Sequence, residues 1–227
     1  EGTEFEIDEA KAIVDSGIPM PRRDEDSHDI LGTFKVLSNR AEMMKTPTSP
    51  KELFSILSHR HSILLEGRPH MNPGIFKTKN NRAGMTEFVD YQLVKGTLSQ
   101  GFKYYAALTD PFARAIFMMF MISEVHPFND GNGRVARVMM NAEFVRADQS
   151  RIIVPTVFRE DYILALRKLT QHKDPLAYIN VMTKLHQFSD NLYGTDFTEL
   201  KNYLATCNAY EEPSQAKLQI IDRTIIE

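Results

Sequence analysis

Along most of the chain, apolar side chains recur three and four residues apart, the spacing that lines one face of an α-helix. Residues 8–16 read as a short helix stopped by Gly17. Pro19, Pro21 and the charged run at 22–26 read as a solvated connecting loop, and a second helix is predicted over about 28–45. The stretch Thr46-Pro47-Thr48-Ser49-Pro50 is a break. Ser49 and Glu52 form a capping box with Pro50 at the first helical position. A helix should therefore follow to about Leu65, with Leu53, Ile56, Leu57 and Leu64 inward and Gly67 as its stop. Residues 68–90 lose the helical period and hold Pro69, Pro73, Gly74, Asn80, Asn81 and Gly84, which predicts a loop or small hairpin.

Helices resume at about 90–106. Asp110 and Pro111 then cap a segment apolar on every side (Ala113, Ile116, Phe117, Met119, Phe120, Ile122), the mark of a central helix. It ends at His126-Pro127, and after a tight glycine turn the next helix runs from about Arg134 to Arg146. Further helices are predicted at 159–171, 175–189 and 197–208, while 152–154 is too short to imply a sheet. The methionines at 118, 119, 121, 139 and 140 read as adaptable packing on the two central helices. The pattern is all-α.

Composition narrows the class. A length of 227 residues suits one large domain or a domain with an appendage. A net charge of −3 argues against a nucleic-acid-coating surface, residues 191–227 hold no basic recognition helix, and no apolar run approaches a membrane span. The single cysteine, Cys207, allows neither an internal disulfide nor a thiolate metal site, so a reducing, cytoplasmic setting is expected. The chain starts at Glu1 without Met and reads as a fragment. His59, His61 and His70 have no metal-ligand spacing and read as surface residues.

Chemistry is concentrated at His126-Pro127-Phe128-Asn129-Asp130-Gly131-Asn132-Gly133-Arg134-Val135-Ala136-Arg137. Gly131 and Gly133 permit backbone angles closed to other residues, so successive amides can form an anion nest. The turn opens into a helix whose unpaired N–H groups favour phosphate. Arg134 and Arg137 share a helical face and can grip phosphate oxygens in a fork. Asp130 is a hard oxygen ligand suited to Mg²⁺ beside a phosphate, and His126 is placed to take a proton from a hydroxyl. Together these residues read as phosphoryl or nucleotidyl transfer. Three rivals fail. There is no G-x-x-x-x-G-K-[ST]. Neither glycine has the acid five residues upstream that an EF-hand needs. The glycines follow no strand, which removes a dinucleotide fingerprint.

Residues 126–137 resemble the signature of the Fic family, His-Pro-Phe-x-Asp/Glu-Gly-Asn-Gly-Arg-x-x-Arg, and every specified position matches. The likeness runs back to Pro73-Gly74-Ile75-Phe76-Lys77 and forward through Pro155 to about residue 189. It implies a Fic-fold helical bundle with a small β-hairpin flap, and transfer of AMP from ATP to a Ser, Thr or Tyr hydroxyl of a protein target. In that frame His126 is the general base and Asp130 holds Mg²⁺. Gly131, Asn132 and Gly133 line the anion hole, and Arg134 and Arg137 hold the β- and γ-phosphates. Pro127 and Phe128 fix the loop, and the flap, beginning with Phe76, Lys77 and Thr78, docks the target by strand addition. A homodimer is compatible with this frame. Two positions depart from the pattern: Lys77 stands where many members have Arg, and Met119 where many have His.

Many members are also inhibited by a glutamate, in Ser/Thr-x-x-x-Glu-Gly/Asn, that pairs with the second motif arginine, here Arg137. Glu1, followed by Gly2, resembles the end of such a motif and is the first choice. Glu66 is the second, because Ser62–Gly67 matches in full but closes the helix before the flap. This frame divides the chain into an inhibitory segment at 1–48, a catalytic domain at 49–190 and a helical extension at 191–227. The alternatives are removal of AMP by the same site, another phosphate donor, or a nucleotide-binding regulator without turnover.

Overall fold

A computed structural model describes residues 5–84 and 86–223. The chain divides into two compact units, with the boundary between Asp148 and Gln149. The first unit holds seven of the described helices: α1 (Ile7–Ser16), α2 (Asp24–Ser38), α3 (Arg40–Met43), α4 (Pro50–Leu64), α5 (Val94–Ala107), α6 (Pro111–Val125) and α7 (Asn132–Arg146). Between α4 and α5 lies a two-stranded antiparallel hairpin, β1 (Arg82–Ala83) and β2 (Thr86–Glu87), with Arg82 opposite Glu87. The fold is all-α with a small hairpin flap, as the helical period and the breakers at 68–90 predict.

Local chemistry explains most boundaries. Gly17, at φ 67°, closes α1 with its N–H on the Ile13 carbonyl. The Ser49 side chain accepts the Glu52 N–H at 3.2 Å, and Glu52 reaches back to Thr48 N–H and Oγ1. Three readings need correction. The run at 22–26 is not all loop: Asp24, Glu25 and Asp26 form the first turn of α2, where carboxylates suit the positive end of the helix dipole. The predicted helix over 28–45 is also broken at Asn39, which turns extended and caps α3 by accepting the Glu42 N–H at 3.0 Å. In addition, Gly67 is not a left-handed stop; a Cβ there would lie 2.3 Å from His28 Cβ, so it is needed for close packing.

The antiparallel pair α6 and α7 forms the centre of this unit, with Met118, Met119, Met121, Met139 and Met140 all buried. Arg60 of α4 is wholly buried too. Its Nε donates to Glu42 Oε1 at 3.2 Å, and its Nη2 donates to the carbonyls of Glu42 (2.7 Å) and Lys45 (2.8 Å). Burial pushes the Glu42 carboxyl up, but the Lys45 hydrogen bond and the Arg60 charge outweigh it and hold the group below its ordinary range. Losing Arg60 would leave the buried Glu42 carboxylate with Lys45 as its close cation and take the Arg60 donor from the Glu42 and Lys45 carbonyls. Arg60→Leu is therefore expected to lower unfolding free energy in urea by about 3–5 kcal/mol. A loss under about 1 kcal/mol, the worth of an exposed pair, would contradict this.

The second unit contains α8 (Arg159–His172), α9 (Pro175–Asp190) and α10 (Phe197–Thr206). Helices α8 and α9 pack as a hairpin around Ala165, Tyr178, Met182 and Leu185. Cys207 is a buried free thiol. Among the described residues no helix is long and apolar enough to cross a membrane.

Candidate active site

The site begins where α6 stops. His126 adopts the left-handed conformation (φ 49°, ψ 60°) with its N–H on the Ile122 carbonyl at 2.9 Å, and Pro127 then prevents the helix from continuing. A residue with a β-carbon in this conformation costs roughly 1–3 kcal/mol and persists only where its surroundings enforce it. Here they do. Phe128 is fully buried, and Asn132 clasps it: Asn132 Oδ1 accepts the Phe128 N–H at 2.8 Å while Nδ2 donates to the Phe128 carbonyl at 2.9 Å. Both polar atoms of the Asn132 side chain are thus engaged in holding the loop, which leaves this residue its backbone N–H for an anion. Of the two glycines, Gly131 takes the left-handed angle (φ 69°), whereas Gly133 lies in ordinary helix.

His126 is oriented from two sides. Its Nδ1 lies 3.2 Å from the Ser123 carbonyl, an acceptor, which places a proton on Nδ1. The Phe88 ring, just after β2, stacks on the imidazole at 3.6 Å and 7°. The flap root is tied to the same loop. Lys77 N–H donates to the Pro127 carbonyl at 2.8 Å, Lys77 Nζ donates to Asn81 Oδ1 at 2.6 Å, and Asn81 Nδ2 donates to the Phe128 carbonyl at 2.8 Å. Phe76 packs against Phe54 and Phe128. Phe76 and Lys77 therefore face inward, and Thr78 is exposed. A groove of about 590 Å³ beside the flap root is lined by Phe54, Ser58, Ile75, Phe76 and Tyr91.

The start of α7 carries the positive groups. The α7 N-cap, Gly131, brings no side chain to the first-turn amides. Arg137 folds back toward this end: a Cβ on Gly133 would lie 3.5 Å from Arg137 Nη1. Arg134 is held between two carboxylates, Asp29 of α2 at 2.5 Å and Asp130 at 3.6 Å. Asp29 also accepts from Arg68 Nε at 2.9 Å. Asp130 keeps 39% of its side chain exposed beside this helix end, open to a cation. Among the described residues no three His, Cys, Asp or Glu side chains gather to hold a metal. One carboxylate sharing the ion with phosphate oxygens is how Mg²⁺ is commonly held with nucleotides, so the residues fit.

His61 is not the surface residue its spacing suggested. It is fully buried and stacks on Phe128 at 3.7 Å and 5°. Burial pushes its imidazolium pKa down to about 4; the Asp130 carbonyl and carboxylate oppose this and the Arg134 charge adds to it. The fold therefore holds His61 neutral, while the unfolded chain takes up a proton below about pH 6.5. Stability is full above about 6.5 and falls as the pH drops to about 4. Between pH 7 and 4.5 this group is expected to remove about 2–3 kcal/mol of unfolding free energy. Urea titrations of the protein and of His61→Phe at both pH values would check it, since the variant should lose less by that amount.

Residues 53–143 match the Fic/DOC family. The chain carries a Fic/DOC family domain. It is 26% identical over 225 residues to protein adenylyltransferase fic-1 of Caenorhabditis elegans, covering 96% of this chain and 44% of that protein. To protein adenylyltransferase Fic of Nematostella vectensis it is 23% identical over 208 residues, covering 85% and 46%. Among solved structures, a Fic-domain-containing signalling protein of Bacteroides thetaiotaomicron superposes with a TM-score of 0.69 at 15% identity, over 82% of this chain and 78% of that one. The chain thus spans less than half the length of those curated relatives.

The first-choice inhibitory residue, Glu1, lies outside the described residues, as does Met85. Glu66 is exposed and its carboxylate lies 3.4 Å from Lys35 Nζ of α2. Four residues that shape the site received no role in it from the sequence: Asp29, His61, Asn81 and Phe88. Each lies far in sequence from the partner it touches, and only Asn81, as half of an Asn-Asn breaker, marked even a turn.

Proposed function

We propose that this Fic/DOC domain is the catalytic part of a protein adenylyltransferase, moving AMP from ATP to a Ser, Thr or Tyr hydroxyl of a target protein. The observation that carries the reading is His126, its Nδ1 proton directed to the Ser123 carbonyl, at the mouth of a turn that leads into the amides, Arg134 and Arg137 of α7. The names of the relatives supply the donor. The target oxygen attacks the α-phosphorus while its proton passes to His126 Nε2. The bond from the α-phosphorus to the bridging oxygen breaks, and pyrophosphate leaves. The α7 amides and the two arginines take up the charge of the β- and γ-phosphates. Asp130 would hold Mg²⁺, which neutralises phosphate charge when bound. The imidazolium formed faces the Phe88 ring, which favours a cation.

The remaining assignments rest on the same frame. Residues 49–190 act as the catalytic domain. Glu1, in the 1–48 segment, restrains the site by pairing with Arg137, and the single cysteine fits a cytoplasmic setting. Incubation with Mg²⁺ and either α-³²P-ATP or γ-³²P-ATP tests the transfer. Label is expected from the α-phosphate only, and raised by Glu1→Gly in a chain extended upstream of Glu1. Label from the γ-phosphate would overturn adenylyl transfer. Activation by Glu66→Gly instead would move the inhibitory role to Glu66.

A further inference from the structure

We propose that His61 is a positioning residue that sets the flap and the metal-holding loop in register with one ring. This rests on the role given to Asp130 above. Gly74 N–H donates to His61 Nδ1 at 2.9 Å, so the ring proton resides on Nε2, which lies 2.9 Å from the Asp130 carbonyl and donates to it. The ring is buried, its tautomer is assigned, and both nitrogens are used. One imidazole therefore fixes the backbone of the residue opening the flap and the backbone of the carboxylate proposed to hold Mg²⁺.

Both segments sit hard against the same end of α4. Gly74 has φ 79°, and a Cβ there would lie 2.9 Å from the Ser58 carbonyl. Gly131, next to Asp130, has φ 69°, and a Cβ there would lie 3.1 Å from Leu65 Cδ2. Ser58, His61 and Leu65 are spaced three and four apart, so they share one side of α4 and its C-terminal cap. A displaced flap root would thus move His61, and with it the Asp130 loop. Packing alone does not require a histidine here: phenylalanine would fill the volume and keep the stack on Phe128. What an imidazole adds is an acceptor and a donor aimed at two different segments. Partners that orient a metal-binding residue from behind commonly alter metal affinity or activity 10–100-fold when removed.

The test compares the protein with His61→Phe, which keeps a ring but loses both hydrogen bonds, and with His61→Gln, which offers one acceptor and one donor. Binding of α,β-methylene-ATP is followed by calorimetry across a MgCl₂ titration, and label transfer is measured in parallel. In folded His61→Phe, half-saturation by Mg²⁺ is expected to rise about tenfold or more and kcat to fall by a similar factor, with metal-free nucleotide affinity within about twofold. His61→Gln should recover part of both losses. If His61→Phe shows only a lower thermal midpoint, with Mg²⁺ half-saturation and kcat within about twofold, His61 is merely a core residue and the proposal fails. Should the variant not fold, the protein itself decides by ¹⁵N NMR. The His61 ring must show the Nε2–H tautomer, and its signal must shift together with the Gly74 amide when MgCl₂ is added to the nucleotide complex. The other tautomer, or no shift, overturns the proposal. Absence of label transfer by the unmodified protein would instead count against adenylyl transfer, leaving the calorimetric and NMR readouts to judge His61.

Discussion

Replacing His126 with alanine is expected to reduce AMP transfer by about 10²–10⁴-fold, the range spanned by loss of a positioned general base. Calorimetric ATP affinity should change by less than about threefold, because in the proposed mechanism the imidazole serves the hydroxyl being activated and does not hold the β- and γ-phosphates. The structure adds a second requirement. If His126 is the base, it depends on the Nδ1 proton held by the Ser123 carbonyl and on the ring plane set by Phe88. Phe88→Ala should therefore impair transfer without touching nucleotide binding, and by less than the loss of the base itself. Full activity in His126→Ala would remove the base assignment outright.

The second large effect concerns the grip on ATP. Arg137→Ala is expected to raise the KM for ATP by about 10–100-fold, the worth of one or two hydrogen bonds to a charged group. Its side chain folds back over Gly133, onto the free end of α7. Arg146, at the other end of the same helix, provides the control: Arg146→Ala should leave the KM within about twofold. Arg134→Ala should behave differently from Arg137→Ala. Arg134 already lies between Asp29 and Asp130, so its loss would also leave the partly buried Asp29 carboxylate one cation short. Weaker ATP binding and lower stability should appear together. A KM for Arg137→Ala within about twofold of the unmodified protein would mean that this arginine does not hold phosphate.

The motif at 126–137 was legible because every group in it lies within a dozen residues. A turn followed by a helix brings such neighbours together by local geometry alone, so the base, the carboxylate, the glycines and both arginines could be given roles in order. The same holds for α1, α4 and α6, whose caps at Gly17, Ser49 and Asp110 are side chains or backbone angles acting on adjacent residues. The break at Asn39 was missed for a related reason. Asn39 ends one helix and caps the next, so the apolar period continues across it almost unchanged.

Long-range contact was not legible. Nothing in the spacing of His59, His61 and His70 separates a buried imidazole bridging Gly74 and Asp130 from two exposed neighbours; the difference is made by Phe128, which lies 67 positions further along and covers one of the three. Phe88 reads as one more apolar residue in a hairpin until the flap folds onto His126. Asp29 reads as a helix surface charge until α2 lies along α4 and α7. By itself, then, the sequence determined an all-α chain with a short hairpin and a glycine turn that opens a helix beside a histidine, a carboxylate and two arginines, because periodicity, capping and turn chemistry act between near neighbours. Tertiary structure alone decided which histidine is buried, which nitrogen carries its proton, what holds Arg134, and how the flap is fastened to the loop, because those are properties of surfaces brought together only when the helices pack.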